Sequence, residues 1–225
     1  MFERTADWVA LGLLALVLPV YHAILPMLRA RGARFTTGKR VHREIEAWVR
    51  HTLNEGTVIV AVQQCRNLTM IASALASSTL IIMTLGTSFL LTEGGSLSSD
   101  GTFAMDPLTL KGLVLCASLA FAFTSFVHAL ISLGRFTIMI ALDKKTLDRN
   151  EGDAVIFLTL LFRDAVRSYR IGMHFLSALL PVIFWLYDPY LCIAVTVLLG
   201  IKIVLWEDFT YVWRKRTRPD PNHRA

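Results

Sequence analysis

Polar and ionisable side chains stand at the ends of the long apolar runs of this sequence. Together with intervening serines and threonines they recur at steps of three or four, which places them on one face of an α-helix. These residues are Gln63, Arg66 and Asn67 before the second run, His128 and Arg135 closing the third, Arg170 and His174 opening the fourth, and His22 in the first. Ionisable groups within membrane spans usually face a bundle interior or water. The pattern therefore predicts a polar vestibule lined by these side chains.

The arginines of this set indicate which ligand such a vestibule would take. The guanidinium groups of Arg66, Arg135 and Arg170 can each hold an anion or a lipid phosphate through two parallel hydrogen bonds. We therefore expect a homo-oligomer that passes an ion or small solute, or that binds an anionic ligand or lipid headgroup. Basic side chains at a membrane boundary also extend toward headgroups without forming a site, and we favour that interpretation for Arg163, Arg167 and Lys202.

Three histidines raise the alternative of a haem or metal redox protein. His22, His128 and His174 are expected at similar depth, and imidazole is a common ligand of haem and of metal ions. No two of them share a helix at ligand spacing, however, and no carboxylate stands where it would support a ligand. We therefore expect neither a cofactor nor a bound metal. A proton relay through histidine and Glu207 or Asp208 has no support beyond composition.

Sequence motifs for nucleophilic or metal-dependent catalysis are missing from this chain. It contains no GxSxG, HExxH or phosphate-loop motif. Its cysteines, Cys65, Cys116 and Cys192, have neither CxxC nor zinc-site spacing, and we expect them to pack as small apolar thiols. These observations favour a non-enzymatic protein without catalytic residues.

The elements that must position these side chains are membrane-spanning helices. Hydrophobic residues make up 54% of the 225, and the mean hydropathy is +0.53, both high for a soluble domain. The sequence predicts an all-α integral membrane protein, with a single transmembrane domain over 1–213 and a basic tail over 214–225. Five apolar segments have about the length that a hydrocarbon core of about 30 Å requires, at about 7–28, 67–91, 109–133, 171–187 and 190–206, with a tight turn at "YDPY" between the last two.

The basic residues lie almost entirely on one side of this five-helix layout. Twenty of the 23 lysines and arginines fall in 29–66, in 135–170 or after Trp206, whereas the opposite side is mainly acidic. By the positive-inside rule the N-terminus lies outside, the C-terminus lies in the cytoplasm, and the vestibule opens to the cytoplasm. The asymmetry accounts for the pI of about 9.5 without nucleic acid as a partner, and it predicts contact with anionic lipids of the inner leaflet.

Apolar residues also extend beyond the spans on the basic side. The stretch 41–53 has apolar residues on one helical face, which predicts an amphipathic cytoplasmic helix lying on the inner leaflet. The extensions "FTIMIAL" (136–142) and "AVIFLTLLF" (154–162) are too apolar to face water alone. They must pack against each other, on the membrane surface or against another subunit. The last option predicts, as an alternative function, a structural or accessory subunit of a larger membrane complex.

Five short motifs mark the edges of the predicted spans. They are "YHAILPMLR" in the first, "AWV" at 47–49, "AVQQCRN" leading into the second, "SLGRF" closing the third and "YRIGMHFLSALLPVIFWLYDP" in the fourth. Together they resemble a bacterial and plant membrane family known as domain of unknown function 599, over about residues 10–210. The resemblance implies a multi-pass helical protein, here of the bacterial inner membrane, and brings no activity, cofactor or catalytic residue. After "SLGRF" this chain continues "TIMI", where the family often has aromatic and polar residues.

Overall fold

The computed structural model describes residues 5–14, 16, 37–93, 107–142 and 144–204, and these ranges are helical apart from short connections, with no strand among them. The all-α class agrees with the sequence prediction. His22, most of the first predicted span and the basic tail lie outside the described residues. The helices are α1 (Thr5–Leu14), α2 (Thr37–Glu55), α3 (Val58–Glu93), α4 (Pro107–Ile140), α5 (Lys144–Glu151), α6 (Ala154–Ser177), α7 (Leu179–Tyr187) and α8 (Pro189–Val204).

Three helical segments are long and apolar enough to cross a membrane. They are Val58–Ser88 in α3, Thr109–Ile140 in α4 and Ala154–Tyr187, which comprises α6 and α7. These helices contain the second, third and fourth predicted spans. α1 and α8 are shorter apolar helices at the places of the first and fifth predicted spans. Five crossings, and the orientation of the chain in the membrane, therefore stay predictions.

Two prolines set the helix boundaries in the third segment and after it. Pro181 has no N–H, so it cannot bond to the carbonyl of Ser177 four residues earlier, and α6 gives way to α7 at Ala178. α7 ends at Tyr187, the backbone of Asp188 after it is extended, and Pro189 then occupies the first helical position of α8. The tight turn predicted at "YDPY" is confirmed.

α4 lies between α3 and α6 and packs along both of them. The contacts that define the register are Thr87–Cys116 and Cys65–Thr137 between α3 and α4, and Phe121–Phe175, His128–Ser168 and Phe136–Phe162 between α4 and α6. Residue numbers rise along α4 while they fall along its two neighbours, so α4 is antiparallel to both. This register gives the height of each side chain along the bundle.

The end of the bundle that carries α2 and α5 has an apolar core of its own, which we call the basal core. Its fully buried members are Val49, Ala61, Cys65, Phe136, Ile140, Leu147, Ala154, Val155 and Leu158. The Trp48 ring covers this core, with ring centroids 5.2 Å from Phe162 and 6.0 Å from Phe136. α2, α3, α4, α5 and α6 all contribute to it. The apolar extensions of α4 and α6 therefore pack against each other, which is one of the three arrangements the sequence allowed.

The basal core also determines where the amphipathic helix lies. The sequence predicts that α2 rests its apolar face on the inner leaflet. In the structure Val49 of that face is fully buried, and Ile45 and Trp48 pack against the extensions of α4 and α6. The extensions of the same chain thus cover part of this face, and the position of α2 relative to the inner leaflet stays a prediction.

Close helix packing in the middle of the bundle depends on one glycine. Phe126 of α4 is fully buried in a cluster with Ala76 and Ala122, and its ring meets Tyr169 edge-on at 5.8 Å. A Cβ atom added to Gly172 of α6 would lie 2.8 Å from a carbon of this ring. Gly172 is therefore the residue that lets α6 approach α4 at this height.

A charged cluster joins α1, α4 and α7 at the opposite end. Trp185 Nε1 donates a hydrogen bond to Asp7 Oδ1 at 2.7 Å, and Lys111 Nζ lies 3.2 Å from the same oxygen. The Lys111 ammonium also stands 5.5 Å from the centre of the Trp185 ring. The Lys111 and Asp7 side chains are only 13% and 24% exposed, so each depends on the other for compensation of its charge.

We predict that Gly172→Ala lowers the stability of the bundle by about 1–3 kcal/mol, because the added methyl group overpacks a buried ring. Gly134→Ala is the matched control, since Gly134 is exposed on α4 with nothing within 4 Å of its Cβ position. That control should be neutral or stabilising by up to about 1 kcal/mol, from helix propensity alone. Thermal unfolding in detergent measures both variants, and equal stability of the two would contradict the packing assigned to Phe126.

We predict that Lys111→Met costs about 1–3 kcal/mol, because it leaves the Asp7 carboxylate largely buried without a counter-charge. The double variant Asp7→Asn/Lys111→Met should recover part of this loss. Arg50→Ala is the control, since it breaks the exposed Arg50–Glu46 pair within α2 and should cost only about 0.3–0.5 kcal/mol. Urea or thermal unfolding distinguishes these outcomes. Wild-type stability of Lys111→Met would show that the cluster does not hold α1 to the bundle.

Candidate functional site

One side of α3 is packed and the other is not. Its buried residues are small, and they allow close approach to α4; they include Ala61, Cys65, Ala72, Ala76 and Thr79. Among the described helices α3 packs along α4 and has a small contact with α2. The side turned away from α4 carries a mainly polar stripe, the open face of α3, formed by Gln63, Arg66, Asn67, Ser73 and Ser77 together with Met70, all of them exposed. Three of the predicted vestibule residues thus lie on the surface of a single chain.

A second polar group lies in the seam between α4 and α6. His128 Nδ1 is 2.9 Å from Ser168 Oγ and 3.8 Å from Asp164 Oδ2. Ser132 Oγ donates a hydrogen bond to the same carboxylate oxygen at 3.1 Å. His128 and Ser132, one turn apart on α4, therefore contact Ser168 and Asp164, one turn apart on α6. Of these four side chains, only His128 belongs to the predicted site.

Asp164 is the functional candidate that the sequence interpretation missed. It is the one acidic residue of α6 and α7, and it stands between Arg163 and Arg167 in an otherwise apolar and basic segment. Two matching spacings are the signal that would have found it. Asp164 comes four residues before Ser168 on α6, and His128 comes four residues before Ser132 on the facing helix α4. That signal becomes visible only once the register of the two helices is known.

The remaining predicted residues differ in their surroundings. Arg135 is exposed on α4, two turns beyond His128 toward the basal core. Arg170 is half-buried on α6, and His174 is only 7% exposed. Both Arg170 and His174 have interaction partners. They are therefore packed side chains, whereas Arg135 is exposed on the surface of the bundle.

The described members of the predicted site lie at several heights. Cys65 contacts Thr137, so the height of its neighbour Arg66 differs from that of His128 by about eight residues of α4, or about 12 Å. Ser168 is level with His128, and His174 lies six residues, or about 9 Å, further along α6. From Gln63 to His174, the side chains of one chain are therefore spread over about 25 Å of height rather than gathered at one depth.

The described residues offer little for a metal ion or cofactor. In ranges 5–14, 37–93, 107–142 and 144–204, no three His, Cys, Asp or Glu side chains come together as a metal-binding group. All three cysteines are unpaired thiols, as the sequence predicts, with Cys65 and Cys192 buried. An open depression of about 470 Å³ lies on α2 away from the predicted site, lined by Arg43, Glu46, Ala47, Arg50, His51 and Asn54.

Comparison with known proteins supports the resemblance found in the sequence. The family described as "Protein of unknown function, DUF599" matches residues 9–212, which include the open face of α3 and the seam between α4 and α6. No curated protein and no solved structure matches the chain. The match covers more than half of the sequence, and the three long apolar helices fit the membrane character expected of it. The chain belongs to the DUF599 family of proteins of unknown function.

Proposed function

We propose that several copies of this chain assemble in a membrane around the open face of α3, which lines a polar vestibule for the passage of ions or small anionic solutes. The observation that carries the proposal is one exposed polar stripe on a helix whose opposite side is packed against α4. The stripe runs from Ser73 and Ser77 to Gln63, Arg66 and Asn67 nearer the basal core. Polar residues on a spanning helix face a bundle interior or water far more often than lipid. A second copy is the simplest source of that interior.

The height of this face relative to the membrane supports a vestibule rather than a lipid contact. Lys111 and Trp185 mark one boundary of the bundle, and the helix register puts them level with the end of α3. A core of about 30 Å takes about 20 residues, which reaches to about residue 71 of α3. Ser73 and Ser77 then lie inside the core, and Arg66 lies just beyond it. Serine is too short to extend from there to the headgroups.

The residue types along the open face suggest a funnel. Ser73 and Ser77 are small enough for helices of neighbouring copies to approach closely. Arg66 of each copy would repel its equivalents and keep the helices apart, so the mouth is wide and positively charged at this end. Such a ring raises the local concentration of anions. By the positive-inside rule, the mouth opens to the cytoplasm.

A second candidate function is the binding of anionic lipid headgroups. Arg135, Arg163 and Arg167 are all exposed, and the register puts them near the same boundary of the core. Each arginine near an anionic surface contributes about 1 kcal/mol of attraction. These residues lie on α4 and α6, away from the open face of α3. Lipid binding and solute passage can therefore be separated by substitution.

The third alternative is an accessory subunit of a larger membrane complex. The stretch "AVIFLTLLF" was its expected docking surface, and Ala154, Val155 and Leu158 of that stretch are buried within the chain's own basal core. Ile156 and Leu160 stay exposed at 54% and 51%. Purification in mild detergent distinguishes the vestibule from the accessory role. A symmetric oligomer of this chain alone favours the vestibule, and co-purification of other subunits in fixed stoichiometry favours the accessory role.

We predict that Arg66→Gln reduces chloride flux into proteoliposomes at least several-fold while leaving the oligomer size unchanged. Arg163→Gln is the matched control: it removes the same charge near the same height, on α6 instead of the open face of α3, and should leave flux close to wild type. Fluorescence of an encapsulated halide-sensitive dye reports the rate. Wild-type protein without flux above empty liposomes, or equal loss in both variants, would overturn passage through the α3 vestibule.

We predict that a cysteine at Ser77, in a background without the three native cysteines, forms cross-links between copies in native membranes. The matched control is Thr124→Cys, because Thr124 is exposed on α4 away from the open face of α3. This variant should run as a monomer. Non-reducing electrophoresis after mild oxidation reads out both. Cross-links at Thr124 and none at Ser77 would place a different face between the copies.

A further inference from the structure

We propose that His128 and Asp164 form a proton-dependent contact between α4 and α6, which strengthens when the imidazole of His128 takes up a proton. His128 Nδ1 lies 3.8 Å from Asp164 Oδ2, and Ser132 Oγ holds that oxygen through a hydrogen bond of 3.1 Å. The same ring nitrogen is 2.9 Å from Ser168 Oγ. The carboxylate is thus oriented toward the ring by a residue of the helix that carries the ring.

The chemistry of the two protonation states differs in one interaction. Neutral imidazole keeps its hydrogen bond with Ser168 and makes only a weak dipolar contact with the carboxylate. Protonated imidazole carries a positive charge that faces a negative one across the helix seam. Histidine is the side chain whose charge ordinarily changes between about pH 5 and 8. The contact is therefore gained as the pH falls and lost as it rises through this range.

Other charged groups near the pair lie on the same two helices. Arg163 and Arg167 flank Asp164 on α6, and Arg135 follows His128 on the exposed side of α4. Among the described residues, His128 is the one ion-pair partner within 4 Å of Asp164. The three arginines attract the carboxylate and repel a positive charge on the ring through longer-range electrostatics. The direct pair must outweigh that opposition for the contact to strengthen.

Within the part of the chain that the structure describes, the neighbouring helices bring no competing ion-pair partner to the seam. α3 packs on the other side of α4, where Cys65 meets Thr137. α2 covers α6 at Phe162, and its Arg50 pairs with Glu46 of the same helix. On α5, Lys145, Asp148 and Arg149 are exposed, and the carboxylate of Asp148 accepts from the Ala154 N–H; α7 has no charged residue.

The position of the pair suggests what the contact does. It lies level with about residue 74 of α3, at the edge of the hydrocarbon core on the basic side. The contact between α4 and α6 is the most extensive between any two described helices. A proton taken up from that side would thus tighten the main seam of the bundle. This inference does not require that the α3 face conducts anything.

The test is thermal unfolding of the full chain in detergent between pH 8 and pH 5, for wild type, His128→Gln and Asp164→Asn. Both side chains are about half exposed, so the expected gain is modest: Tm of the wild type should rise by about 1–3 °C relative to either variant as the pH falls. His51→Gln is the matched control, because His51 faces Glu55 at 3.5 Å within the single helix α2. Its pH dependence should match that of wild type.

A double-mutant cycle gives a second measurement that a merely structural role would not move. Tm is measured at pH 5 and pH 8 for wild type, His128→Gln, Asp164→Asn and the double variant. We expect a coupling between the two substitutions that is larger at pH 5 than at pH 8. A coupling that does not change with pH, or a wild-type pH dependence of Tm in Asp164→Asn, would overturn the proposal.

Discussion

The structure depends on a mismatch of lengths. α3 has 36 residues and therefore spans about 54 Å, while a bilayer core is about 30 Å thick. α4 and the α6–α7 segment are nearly as long, so a bilayer core would leave part of each of these three helices beyond it. Their surplus apolar surface is stable only if the chain covers it. The basal core, with Phe136, Leu158 and Val49 of α2 fully buried, provides that cover.

The same constraint brings the polar residues to the boundary of the core. Where the helices leave the lipid, polar and charged side chains are no longer costly. The side chains accordingly change from uncharged to charged at this height: from Ser73 and Ser77 to Arg66 along α3, and from Ser168 to Asp164 along α6. In the seam between α4 and α6, His128 and Ser132 find polar partners within the chain. The open face of α3 presents its polar groups outward. One chain thus combines a polar seam between two helices with an exposed polar face.

Local patterns predicted the helices, the turn at Asp188 and the need to cover the apolar extensions, because periodicity and turn chemistry are properties of short segments. They did not predict the partner of His128, since Asp164 faces it only through the register of α6 against α4. For α2, the pattern identified an apolar face but not what covers it. Likewise, the spacing of Gln63, Arg66 and Asn67 placed them on one face, and only the packing of Cys65 and Ala72 shows that this face points away from α4.

The central claim is that the bundle continues beyond the lipid as a water-surrounded helical end built on the basal core. Nitroxide labels at exposed positions along α3, in protein reconstituted into bilayers, test it most directly. A label at Ile82 should be relaxed mainly by dissolved oxygen, and one at Ile59 mainly by a water-soluble nickel complex, with the change near residue 71. Oxygen-dominated relaxation at Ile59 as well would place the basal core inside the membrane and contradict this account.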